Sequence, residues 1–89
     1  MRNANATMTA VMRFEGQLRP ASFAAFAAQR AARLSLDQRV LEQTAAGATV
    51  EVRGPAALID AFEMALSLSP ADCLIRDVTR LSDRTEPEA

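Results

Sequence analysis

The chain has no lysine, histidine, tryptophan or tyrosine, a single cysteine and only three glycines among its 89 residues. Each absence removes a kind of chemistry. Without histidine, the commonest general base and metal ligand is missing. Cys73 alone cannot close an intrachain disulfide, which fits the reducing cytoplasm expected for this chain. It follows Asp72 at the expected start of a strand, where a small buried thiol is a simpler reading than a nucleophile. All ten basic residues are arginine and alanine is abundant, which reflects the base composition of a genome, expected to be bacterial, rather than a binding surface. A net charge of −1 leaves no bulk attraction for nucleic acid or an anionic membrane.

Motif absences narrow the field further. No apolar run approaches membrane-spanning length, and no basic-plus-apolar leader opens the chain. Asn5-Ala6-Thr7 matches a glycosylation sequon, which carries little weight without a secretion signal. There is no Walker A pattern, no Ser-His-Asp set and no metal-ligand cluster, so neither cofactor nor metal is expected. The aromatic-plus-basic stripe of an RNA-binding surface is missing too.

What is present suits one soluble globular domain: 49% hydrophobic and 24% charged residues. The expected organisation is a flexible N-terminus at 1–6, a folded domain at 7–81 and a charged tail at 82–89. From Thr7 to Phe14 the residues alternate, with Met8, Ala10, Met12 and Phe14 on one side, as in a half-buried strand. Gly16 and Pro20 punctuate a turn, and Ser22 is the expected N-cap of a helix running to Leu34. Phe23, Phe26, Ala27, Ala31 and Leu34 recur there at helical spacing. Asp37–Thr44 and Thr49–Arg53 read as strands flanking a hairpin tip at 45–47.

Gly54-Pro55 opens a second helix, with Leu58, Ala61, Phe62, Ala65 and Leu66 as its inward stripe. Ser69-Pro70 ends it. Leu74–Leu81 reads as a fourth strand, with a bulge between Ile75 and Val78. The order β-α-β-β-α-β defines an α+β, ferredoxin-like sandwich: a four-stranded antiparallel sheet carrying two helices on one face. The expected core unites Met12, Phe14, Phe23, Phe26, Val50, Val52, Leu58 and Phe62.

The run Gly16-Gln17-Leu18-Arg19-Pro20-Ala21-Ser22-Phe23-Ala24 between strand and helix resembles the acylphosphatase signature, roughly G-x-V-Q-G-V-G-F-R. The likeness continues through Ala32-Arg33-Leu34-Ser35-Leu36-Asp37-Gln38-Arg39-Val40, similar to R-x-L-G-L-x-G-W-V, and through Val50-Glu51-Val52, Gly54-Pro55 and Phe62. It spans nearly all of Thr7–Leu81. The resemblance implies an anion loop over Leu18, Arg19, Pro20, Ala21, Ser22 and Phe23, and hydrolysis of acyl phosphates using loop amides, a terminal Arg and an Asn on the next strand. Ala24 stands at the Arg position and Glu42 at the Asn position. Pro20 lacks an N–H and its fixed φ opposes a Gly-like turn. Ala24 offers no charged fork for phosphate oxygens, and Glu42 places a carboxylate where a neutral amide should orient water.

These residues imply a catalytically degenerate acylphosphatase-like domain that acts in protein interaction or self-association. The expected partner is a second copy or another protein, through the open sheet or the Ala24, Ala25, Ala28 and Ala32 helix face. A phosphate-like anion is expected only if the loop stays competent. The alternative is a divergent acylphosphatase in which Arg19, or less readily Arg13, replaces the missing Arg. A small-ligand regulatory module is a further alternative, resting on fold analogy. Glu42 and Glu51 on neighbouring strands are a candidate carboxylate pair for acid–base work, and exposed hairpin charges explain them more simply.

Overall fold

The computed structural model describes residues 6–68 and 70–85. The elements are β1 (Thr7–Gln17), α1 (Pro20–Arg33), β2 (Asp37–Thr44), β3 (Gly47–Pro55), α2 (Ala56–Ser67) and β4 (Leu74–Thr85). The strands form one sheet in the order β2-β3-β1-β4, every neighbouring pair antiparallel. The expected β-α-β-β-α-β order and ferredoxin-like sheet are both present.

Alternation decides the two faces. Met8, Ala10, Met12 and Phe14 of β1 and Ala48, Val50 and Val52 of β3 are buried together with Phe23, Ala27 and Ala31 of α1 and Ile59, Phe62 and Leu66 of α2. Phe14 and Phe23 meet with ring centroids 5.5 Å apart, joining β1 to the first turns of α1. Phe26 and Leu58 are only partly buried, packed against this core rather than inside it. Phe26 lies under the Arg30 guanidinium, 5.4 Å from its ring centroid.

Several boundaries differ from expectation. α1 starts at Pro20, with Arg19 as N-cap and no side-chain capping bond, so Ser22 lies inside the first turn and is not the cap. Pro20 therefore sits where its missing N–H and fixed φ suit a helix start, not in a distorted turn. In α2 the inward set is Ala56, Ile59, Phe62 and Leu66; Ala61 faces solvent. The helix begins at Ala56, and that phase turns Ile59 inward. Ser82–Thr85, expected in a loose tail, extends β4 and pairs with Met8–Val11. The remainder of that tail, the terminal residues 1–5, and Ser69 lie outside the described residues.

Bulges adjust the sheet. One falls at Arg76, inside the Ile75–Val78 window expected from imperfect alternation, and a second leaves Leu81 unpaired. In β2 a register shift at Leu41 turns Glu42 to the outer face, opposite Thr49. Arg80 on β4 is held by Glu63 at 2.7 Å, Asp60 at 3.1 Å and Asp83 at 3.0 Å, which ties the edge strand to α2. Burial opposes its charge, but the bonds to Asp60 and Glu63 outweigh that and raise its pKa above the usual guanidinium value.

Candidate functional site

The β1–α1 junction holds the sequence-predicted loop, and its backbone hydrogen bonds decide what it can bind. The Gly16 N–H donates to the Ala46 carbonyl at 3.0 Å, and the Leu18 N–H to the Ala45 carbonyl at 2.8 Å. The tip of the β2–β3 hairpin thus takes two amides from this stretch. Gly16 permits the approach on the other side: a Cβ there would overlap the Leu74 carbonyl oxygen, a rigid backbone atom. The Arg19 N–H points to the Cys73 sulfur at 3.4 Å, Pro20 has no N–H, and the Phe23 N–H closes the first helical turn onto Arg19 at 2.9 Å. Within Leu18–Phe23, only the Ala21 and Ser22 N–H groups are left without an acceptor among the described residues.

An internal anion stands beside those two amides. The Ser22 hydroxyl donates to Asp72 Oδ2 at 2.7 Å, and Arg19 Nε lies 3.9 Å from the same oxygen. The Ser22 hydrogen bond, more than the Arg19 charge, holds the Asp72 carboxyl below the usual carboxylate pKa. Cys73 is half-buried and precedes β4. Its sulfur lies 3.9 Å from the Arg19 carbonyl oxygen and 3.8 Å from Asp72 Oδ1. The 70–73 loop therefore closes on α1 through Asp72 and Cys73, an arrangement with no short-range trace in the sequence.

The remaining site candidates separate across the molecule. Ala24 lies half-buried in α1, one residue beyond Phe23. Glu42 stands on the opposite, helix-free side of the sheet, where Arg13 Nη1 meets its Oε1 at 2.8 Å and bonds Thr49 Oγ1 at 3.1 Å. These three residues are cross-strand neighbours through the Arg13–Thr49 and Glu42–Thr49 register. Arg13 is thus engaged on the sheet and not at the loop, and Glu42 is matched by a cation. Glu51 pairs with Arg39 at 3.1 Å, so Glu42 and Glu51 form two separate ion pairs, not a carboxylate pair.

A shallow groove of about 190 Å³ lies away from the loop, lined by Asp37, Gln38, Arg39, Glu51 and Arg53. Its charges face one another, Arg39 to Glu51 and Arg53 to Asp37 at 3.9 Å, and give no field of one sign. No group of three or more potential metal ligands occurs among the described residues. None of their helices is long and apolar enough to cross a membrane.

No family model matches the chain, and no curated protein matches it. Solved structures do. The acylphosphatase of Bacillus subtilis superposes with a TM-score of 0.79 at 15% identity, covering 91% of this chain and 89% of that one. An acylphosphatase from Coxiella burnetii gives 0.77 at 14% identity, covering 94% and 88%. The agreement covers more than nine-tenths of the chain while few residues are shared: the chain has an acylphosphatase-like fold.

Proposed function

We propose that this domain keeps the acylphosphatase-like scaffold without acyl phosphate hydrolysis, and serves as a protein-interaction or self-association module. One observation carries the reading: within Leu18–Phe23 a hairpin carbonyl takes the Leu18 N–H, the Cys73 sulfur the Arg19 N–H and the first helical turn the Phe23 N–H, while Pro20 has none. Asp72 adds a carboxylate at the turn where a phosphate would need positive potential. Ala24 supplies no guanidinium to offset it. Losing one preorganised donor costs about 2.7–4 kcal/mol of transition-state stabilisation. Several such losses at one site remove most of any rate enhancement.

The divergent-enzyme reading with Arg19 has less support, because that exposed guanidinium leans toward Asp72. Purified chain assayed with an acyl phosphate should hydrolyse it no faster than a mock preparation. Ala24→Arg should recover little by itself; adding Pro20→Gly and Asp72→Asn should bring hydrolysis above background. Strong wild-type hydrolysis abolished by Arg19→Ala would replace this reading with the divergent enzyme.

A further inference from the structure

The β2 edge of the sheet carries an acceptor without a donor. Asp37, Gln38, Arg39 and Val40 pair regularly with β3, and β2 has no neighbouring strand on its other side. Gln38 stands opposite Val52 on the helix-bearing side, and its Oε1 is buried with no hydrogen-bond partner among the described residues. A buried acceptor left in that state costs stability that an apolar side chain in its place would not. Asp37 and Arg39 project from the opposite side, with side chains 86% and 70% exposed. Arg53 lies 3.9 Å from Asp37, and Glu51 lies 3.1 Å from Arg39, so most of each edge side chain is left to solvent.

This edge is complementary to itself in one register. With a second β2 laid antiparallel and Gln38 on the two-fold axis, Gln38 faces Gln38 and Leu36 faces Val40 on the helix side. Asp37 faces Arg39 on the other side. The outer rows then read Arg53, Asp37, Arg39, Glu51 across four strands, alternating in sign throughout. The ends match as well: Ser35, with φ 56° and so not extended, falls opposite Leu41, which the register shift leaves unpaired. Other registers fail. Centring on Asp37 or on Arg39 sets like charges face to face, and a shift by one residue opposes side chains from different faces. Charge on an edge strand ordinarily repels an added strand, but here each sign meets its opposite in a copy.

We infer that two copies of this chain join their sheets through β2, antiparallel, with Gln38 on the two-fold axis. This rests on the interaction-module reading and names its partner. Each glutamine amide offers both donor and acceptor, so the facing pair satisfies the carbonyl that the single chain leaves unmatched. Gln38 is only half-buried, and a change of rotamer brings its amide to the edge. The two β2 edges consume each other, which closes the assembly. The other edge, β4, is bulged at Arg76 and Leu81, so the sheet does not grow further there. The paired stretch is about 17 Å long, a small contact, and the dimer is therefore weak and concentration-dependent.

Sedimentation equilibrium of the full chain between about 10 µM and 1 mM tests this, with a dissociation constant expected near the upper end of the range. Asp37→Arg gives an edge with two cations and Arg39→Asp an edge with two anions; each alone should weaken dimerisation about tenfold or more. An equimolar mixture of the two variants should dimerise at least as well as wild type, because every pair across the edge is again of opposite sign. That recovery also shows that both variants are folded. In a Cys73→Ser background, Gln38→Cys should form a disulfide-linked dimer on mild oxidation about tenfold faster than Leu81→Cys on the other edge. A wild type that stays monomeric throughout overturns the inference. So does a dimer indifferent to both charge variants, a mixture no better than either variant alone, or equal cross-linking at the two edges. The hydrolysis assay on the same samples separates the two readings: an inactive monomer sinks only the dimer, whereas an active dimer sinks only the non-catalytic module.

Discussion

The two strand-to-helix junctions look alike in sequence and behave differently in the fold. Each has a glycine near the strand end and a proline at the helix start, Gly16 with Pro20 and Gly54 with Pro55. Both glycines have φ near 159°, and neither helix has a side-chain cap or an acid in its first turn. At the second junction the Ala56 N–H donates to the Ala6 carbonyl at 3.0 Å, a simple backbone closure. At the first, the hairpin tip and the 70–73 loop converge, taking amides and adding the Asp72 carboxylate. A junction's capacity to bind an anion depends on what the rest of the chain places against it. The local motif alone does not decide it.

Substitutions at the two junctions sharpen the contrast. The largest effect should come from Phe23→Ala, which empties a fully buried site against Phe14; urea melts should show a loss of about 3–5 kcal/mol. Gly16→Ala should cost about 2–3 kcal/mol, since its Cβ meets the backbone at Leu74. Gly54→Ala shares the backbone strain but meets the movable Leu36 Cδ2, so about 1 kcal/mol is expected. Equal losses at the two glycines would show that backbone conformation, not the neighbouring chain, sets the cost.

The smallest effect concerns pH. The folded-state pKa of Asp72 is depressed, chiefly by Ser22. Its stabilisation is therefore present above the unfolded carboxyl pKa, about 4, and is lost as pH falls through the lower folded value. Wild type should lose part of its stability margin over Asp72→Asn on acidification from pH 5 toward pH 2. Ser22→Ala should flatten that difference. A margin independent of pH would mean that the Ser22–Asp72 bond does not persist in solution.

Much of the fold was legible because repeating patterns report it. Met8, Ala10, Met12 and Phe14 alternate and are all buried, and Val50 and Val52 face them from β3. The broken alternation after Ile75 located a real bulge at Arg76. Ile59 was missed because α2 is apolar on several sides, which leaves its phase undetermined by composition. The Leu41 shift was missed as well, and it sends Glu42 across the sheet to Arg13. Ser82–Thr85 read as tail because charged residues there resemble a solvated end; their exposed side chains belong to an edge strand paired along β1.

The sequence by itself determined the order of elements, the face each strand buries and the residues missing from the expected site: no Arg at 24, no Asn at 42, no N–H at 20. These follow from periods of two and 3.6 residues and from side-chain chemistry, which are local. Only the tertiary structure decided which amides stay open and which charges neutralise one another. Gly16 meets Ala46, Ser22 meets Asp72 and Arg13 meets Glu42, partners 29 to 50 residues apart. Contacts at that separation depend on strand register and loop docking, which no local period encodes.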